Sequence, residues 1–247
     1  MPDADLASAA PGFYGKLPTR GDFVRRRLSP QLTARLDAWL QQAMIASQRE
    51  LGSEWLHAYL NCPIWRFALA RGSLGVEPAA GLLMSSVDRV GRYFPLLIVA
   101  RTPPELAPVL IAAACEPWFS AAEAVLLRAL DPRLAFEDFD ALVAALGALT
   151  PAAAASAGER RRPVEPPVFP PAHLGADQRP APEYDPAQDG ATLWWLPCGE
   201  DVRTSVLRYE GMPSPNQYAA MLRHHQSGRA TPEGSSAGGC PPAENEK

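Results

Sequence analysis

The sequence predicts an α+β fold, with a central, mostly antiparallel sheet and helices on both of its faces. Three observations carry that expectation. Short apolar runs rich in β formers follow one another at residues 64–69, 79–84 and 94–100. The links between them are about nine residues long, too short for the helical crossover that a parallel pair requires. On either side the apolar spacing switches to a 3.6-residue period, over residues 29–51 before the strands and 105–149 after them.

The elements follow in order. Residues 12–17 are a short aromatic strand closed by Pro18, and Thr19, Arg20, Gly21 and Asp22 form a polar turn. Residues 23–28 lead into a helix with Ser29 as N-cap and Pro30 in its first position, where a missing N–H costs nothing. Its apolar stripe is Leu32, Leu36, Trp39, Leu40, Ala43 and Leu51, and Gly52 stops it. Ser53 is expected to cap a short helix over 54–60 that ends ahead of Pro63. The three central runs are continuously apolar, which suits strands covered on both faces, since a half-exposed strand would alternate. After Pro103 and Pro104, a helix over 105–115 is interrupted or restarted by Pro117 and continues to Asp131 and Pro132. An amphipathic helix over 136–149 presents Phe139, Leu142, Leu146 and Leu149 on one face. Strands are thus segregated from most helices, the α+β pattern.

Residues 12–150 form the expected main domain. Residues 151–190 hold nine of the 27 prolines, nine alanines and only Val164, Val168, Phe169, Leu174 and Tyr184 as large apolar residues. That composition cannot offset its ordering entropy and reads as a linker. Residues 191–226 carry a strand over 191–196, a second over 202–209 and a helix over 214–225. About 35 residues could hardly hold a core alone, so this extension is expected to pack on the main domain. Adjacent Trp194 and Trp195 point to opposite faces of a strand, one to the core and the other under the linker or at an interface. Residues 227–247 are poor in apolar side chains and read as a disordered tail.

Composition excludes several function classes. The net charge is −4, so no global basicity points to nucleic acid. The longest uncharged apolar run, residues 106–115, contains Pro108 and falls short of the roughly 20 residues of a membrane span. The first residues lack a basic region followed by an apolar one, so a cytoplasmic protein is expected. Cys62, Cys115, Cys198 and Cys240 form no CxxC pair; free thiols in a reducing compartment are expected, with no zinc site or cofactor. The motifs HExxH and GxxxxGK[ST] are absent from the sequence, and no GxSxG occurs within residues 1–226. Ser85 and Ser86 lie near Asp88, but no histidine is close in sequence. His57 reads as a core-edge residue, and Glu137, Asp138 and Asp140 as an exposed helix face rather than a metal site. No catalytic or metal set is therefore assigned; a hydrolase acting on a phosphorylated protein or a small ester is the alternative reading.

Two segments stand out as binding candidates. Residues 85–95 join two central strands and hold Asp88, Arg89 and Arg92 between apolar anchors. The arginines offer bidentate donors for a carboxylate or phosphate; the other reading is that Asp88 pairs with an arginine and braces a long hairpin. Between residues 16 and 35, Lys16, Arg20, Arg25, Arg26, Arg27 and Arg35 stand against a single acid, Asp22. In an acidic chain that asymmetry suggests a local patch for an acidic partner. Arg20, Asp22, Asp88, Arg89 and Arg92 are the partner-binding candidates.

Three blocks carry a resemblance. The first is Gly12-Phe13-Tyr14-Gly15-Lys16-Leu17-Pro18-Thr19-Arg20-Gly21-Asp22-Phe23. The second runs from Trp55-Leu56 to Pro63-Ile64-Trp65-Arg66-Phe67. The third is Ser86-Val87-Asp88-Arg89-Val90-Gly91-Arg92-Tyr93-Phe94-Pro95-Leu96. In this order and spacing they resemble the TagF family, also called ImpM, of bacterial type VI secretion accessory proteins, over about residues 12–150. Leu193-Trp194-Trp195, and Gly211-Met212-Pro213 followed by Tyr218 and Leu222, are similar to the family's C-terminal features. The resemblance implies a profilin- or longin-like sandwich. It also implies a cytoplasmic, non-enzymatic protein that represses type VI secretion post-translationally, with the system's forkhead-associated scaffold protein as partner. No cofactor, nucleic acid or membrane insertion is implied. The oligomeric state is left open, with a dimer hiding Trp194 or Trp195 as one possibility.

Overall fold

Two strands open the chain, β1 (Gly12–Lys16) and β2 (Phe23–Arg26), followed by helices α1 (Pro30–Leu51) and α2 (Trp55–Leu60). The continuously apolar runs become β3 (Trp65–Leu69), β4 (Ala79–Met84) and β5 (Leu96–Arg101), buried at every position except Arg101. Helices α3 (Pro108–Ala114), α4 (Glu116–Arg128) and α5 (Phe136–Ala145) come next, then β6 (Ala191–Trp195), β7 (Val206–Glu210) and α6 (Pro215–Arg223). The computed structural model describes residues 10–104, 106–151, 191–197 and 206–224. The linker expected over 151–190, the tail over 227–247, His173, His225, Cys198 and Cys240 fall outside the described residues, but for Pro151.

Among the described residues the strands form one sheet in the order β2-β1-β5-β4-β3-β6-β7, and every neighbouring pair is antiparallel. Alternation along each strand sends side chains to two cores. Tyr14, Trp65, Phe67, Leu83, Leu97, Val99 and Trp194 meet α1, α2 and α6. Phe13, Ala68, Leu82, Ile98, Leu193 and Trp195 meet α3, α4 and α5. The result is the expected α+β arrangement, three layers with the sheet in the middle, compatible with a profilin- or longin-like sandwich. β6 hydrogen-bonds to β3 with Phe67 opposite Trp194. Helix α6 lies on α1, where Trp39 Nε1 donates to the Pro213 carbonyl at 2.8 Å.

Several sequence expectations change. Residues 23–26 form an edge strand rather than a lead-in to α1, and only Val24 is buried in it. Its polar side chains hide a strand signal, and charged side chains suit an exposed edge. Ser29 caps α1 as expected, accepting from the Leu32 amide, but Ser53 caps nothing: residues Gly52–Glu54 are a 3-10 turn running into α2. Pro108 and Pro117 each sit in a first helical turn, so the expected helix over 105–115 shortens and a new one begins. The last helix of the main unit stops at Ala145 rather than Leu149, and Gly147 follows at φ +64°. Trp194 and Trp195 do point to opposite faces, yet both are buried within the chain. Trp195 packs edge-on against Phe119 at 4.9 Å, so neither tryptophan is left for an interface. His57 is exposed, not at the core edge.

Candidate functional site

The site grows from the end of β1. Gly15 lies against the Pro95 carbonyl with φ +139°, and a Cβ built there would overlap that oxygen and reach 2.8 Å from Leu96 Cα. This close approach brings Lys16 beside the 85–95 loop. There its ammonium meets the Asp88 carboxylate at 2.6 Å, with both side chains buried. The Lys16 carbonyl accepts from Ser86 Oγ at 2.8 Å. Tyr59 of α2 fixes the same serine twice, donating from its hydroxyl to the Ser86 carbonyl and accepting from the Ser86 amide.

Asp88 organises the loop around itself. Its Oδ1 accepts from the amides of Val90 and Arg92 at 3.0 and 2.9 Å, and its Oδ2 accepts from Arg92 Nε at 2.7 Å as well as from Lys16. Burial alone pushes its pKa up. The hydrogen bonds from Lys16, from the backbone and side chain of Arg92 and from the Val90 amide outweigh burial, and they hold the carboxyl well below the usual carboxylate range. Gly91 closes the turn at φ +88°, a backbone that L side chains rarely adopt. The loop is then strapped to the β1–β2 turn: the Arg89 amide donates to the Arg20 carbonyl at 2.9 Å, and the Arg92 guanidinium to the Gly21 carbonyl.

The five candidate residues therefore end up at one end of the sheet, in different states. Asp88 is buried and fully committed to loop donors, so it shapes the surface from beneath. Arg92 bridges Asp88 to the outside, and its side chain remains more than half exposed. Arg20 pairs with Glu137 of α5 at 3.2 Å and lies 5.0 Å over the Phe136 ring. Arg89 and Asp22 are exposed, and neither makes an ion pair among the described residues. The acidic face expected on α5 is partly used: Glu137 binds Arg20, and Asp140 binds Arg26 and Arg27.

Sequence reading missed the aromatic half of this end. Phe23 stacks on Tyr14 at 5.7 Å, meets Phe94 edge-on at 4.8 Å and covers the Lys16 ammonium at 4.5 Å. Tyr93 stands edge-on to Trp55 and Tyr59, both at 5.8 Å. Aromatic residues flanking a turn were visible in the sequence, but only the antiparallel register of β1 on β5 brings Phe23 to Phe94. A second charge cluster was also unforeseen. Arg66 of β3 is buried beneath α4 and reaches Glu116 at 2.6 Å and Glu123 at 3.0 Å.

Comparison with known proteins places these features in a family. Residues 12–146 match the model of the TagF N-terminal domain, described as type VI secretion system-associated. The chain is also similar to a solved structure, titled the crystal structure of PA0076 from Pseudomonas aeruginosa PAO1 at 2.05 Å resolution. The two are 34% identical with a TM-score of 0.67, and the alignment covers 95% of this chain and all of the other. No curated protein matches. The match spans more than half of the chain and contains the 12–23 and 85–95 segments that build the braced loop, so this chain belongs to the TagF family of type VI secretion-associated proteins.

Proposed function

We propose that this protein is a cytoplasmic, non-enzymatic regulator that represses type VI secretion post-translationally. It does so by binding the system's forkhead-associated scaffold protein through the loop end of the sheet, where Arg20, Asp22, Arg89 and Arg92 face outward. One observation carries the reading: the acid that sequence placed at the centre of the loop spends its hydrogen-bonding capacity on its own loop and on Lys16. A carboxylate held in this way does not take part in proton transfer near neutral pH, but it stiffens the surface above it. The remaining polar groups fit the same reading. Ser86 Oγ donates to a backbone carbonyl, burial pushes the Cys62 thiol up to about 12, and such a thiol is a poor nucleophile.

The test is retention of the forkhead-associated scaffold protein on the immobilised full chain, wild type against Arg89→Ala/Arg92→Ala, with circular dichroism to check folding. Wild type should retain the scaffold and the folded double variant should lose most of it. Equal retention by a folded double variant removes the loop from the reading, and no retention by wild type removes the partner.

A further inference from the structure

Beside the exposed carboxylate of Asp22, the exposed groups at the loop end are of two kinds, apolar and cationic. Phe23, Val90 and Tyr93 leave 47%, 64% and 36% of their surface open. The rings of Phe23 and Tyr93 are fixed from behind by Tyr14, Phe94, Trp55 and Tyr59. Rigid aromatic surface of this sort loses little entropy on binding, and with arginine it is the usual material of binding hot spots. Arg89 stands in the loop and Arg25 two residues beyond Phe23 on the same face of β2, both exposed and without an ion pair among the described residues. Beneath them Lys16 and Arg92 share the one Asp88 carboxylate, so the cluster under the loop keeps a positive charge. In a chain of net charge −4, this end is locally cationic and apolar at once.

We propose that this surface receives an acidic polypeptide segment with a large apolar side chain among its carboxylates. The apolar side chain lies between Phe23 and Tyr93, and the carboxylates meet Arg25, Arg89 and the outer edge of Arg92. Charge complementarity selects the occupant: a neutral apolar segment would leave the guanidiniums unmatched, and a purely acidic one would leave the rings in water. Arg25 and Phe23 thereby join Arg89 and Arg92 as binding residues. The proposal deepens the reading above, and rests on it only for the identity of the partner.

The probe is a short fluorescein-labelled peptide of alternating Glu and Phe, followed by anisotropy against the full chain. A Glu–Gly peptide of the same length and a labelled oligothymidylate serve as comparisons. Binding of the Glu–Phe peptide should weaken with added salt and fall about tenfold or more in Arg89→Glu, because reversal places like charges in contact. It should also fall several-fold in Phe23→Ser, be clearly weaker for the Glu–Gly peptide, and stay unchanged in Arg128→Glu on the outer face of α4. Any of three results overturns the proposal: no binding, equal binding by folded Arg89→Glu, or equally tight capture of the oligothymidylate. The scaffold retention assay is read separately. Peptide binding without scaffold retention sinks only the choice of partner, and retention without Arg89-dependent peptide binding sinks only this inference.

Discussion

Replacing Asp88 with alanine should be among the most damaging single changes in the chain, and the reason lies in what is left behind. The side chain of Lys16 is 5% exposed, and without Asp88 its ammonium keeps the face of the Phe23 ring at 4.5 Å, a weaker partner than a carboxylate. Deleting one partner of a buried ion pair leaves an uncompensated charge and costs about 3–5 kcal/mol. The amides of Val90 and Arg92 lose their acceptor too, though they lie in an exposed loop where water replaces it. Against a total stability of about 5–15 kcal/mol, and a urea slope of about 2 kcal/mol per molar, the midpoint of unfolding should drop by about 2 M. Adding Lys16→Met to Asp88→Ala removes the stranded charge, so the double variant should recover part of the loss. A loss under about 1 kcal/mol, or a double variant as unstable as the two single losses summed, would refute the account of Lys16 and Asp88 as a mutually dependent buried pair.

The same pair sets a pH dependence whose sign follows from the direction of the shift. The folded carboxyl titrates below its unfolded value, so folding releases protons from this group and its contribution is complete above pH ~4, the ordinary carboxylate range. As the pH falls below that value towards the folded pKa, the contribution is lost. The gap in urea midpoint between wild type and Asp88→Ala should therefore be constant near neutrality and narrow below pH ~4.

Gly15→Ala must push the Pro95 carbonyl away from β1; it should cost more than about 3 kcal/mol or prevent soluble expression, seen by urea unfolding. Ser214 and Gln217 form a reciprocal capping box on α6, so Ser214→Ala should lower stability by about 1 kcal/mol and raise hydrogen exchange in that helix first. The Arg66 cluster should respond asymmetrically, because its arginine is buried while Glu116 and Glu123 reach solvent. Arg66→Met leaves only hydrated carboxylates and should stay within ~1 kcal/mol of wild type, whereas Glu116→Gln/Glu123→Gln strands a buried guanidinium and should cost about 2–4 kcal/mol.

What could be read from the sequence divides along physical lines. The central strands were legible because full burial demands continuous apolar runs, and α1 because Ser29, Pro30 and a regular stripe agree. The edge strand β2 was not, since only Val24 faces a core and Phe-Val-Arg-Arg has no alternation to detect. Asp88 could be picked out as unusual in its loop, and bracing was one of the two readings open to it. Its pairing with Lys16, 72 residues away, is a product of sheet order, which local patterns do not encode. The same holds for Trp195: strand geometry put it opposite Trp194, but only the packing of α4 decides that its face is inside.

The segments that most resemble a functional motif thus contain two sorts of residue. Gly15, Lys16, Ser86 and Asp88 face inward and determine where the loop sits; the side chains of Arg89 and Val90 face outward, and Phe23 and Tyr93 pack on the rings beneath them while leaving 47% and 36% of their surface open. If the loop existed only to close a hairpin, its outward positions would be free to take small polar residues, and the buried ion pair beneath would be an expensive way to hold a turn. A buried pair is a weak source of net stability, since apolar residues of similar volume often do as well. What it does supply is one fixed loop geometry, through donors that converge on a single carboxylate. Fixed geometry matters when something must be matched from outside, and the groups fixed here are guanidiniums and aromatic rings. The acid at the centre of the loop is therefore best understood through the surface it holds in place, and a variant that keeps the fold while loosening the loop, such as Arg92→Ala, should lose partner affinity well before it loses stability.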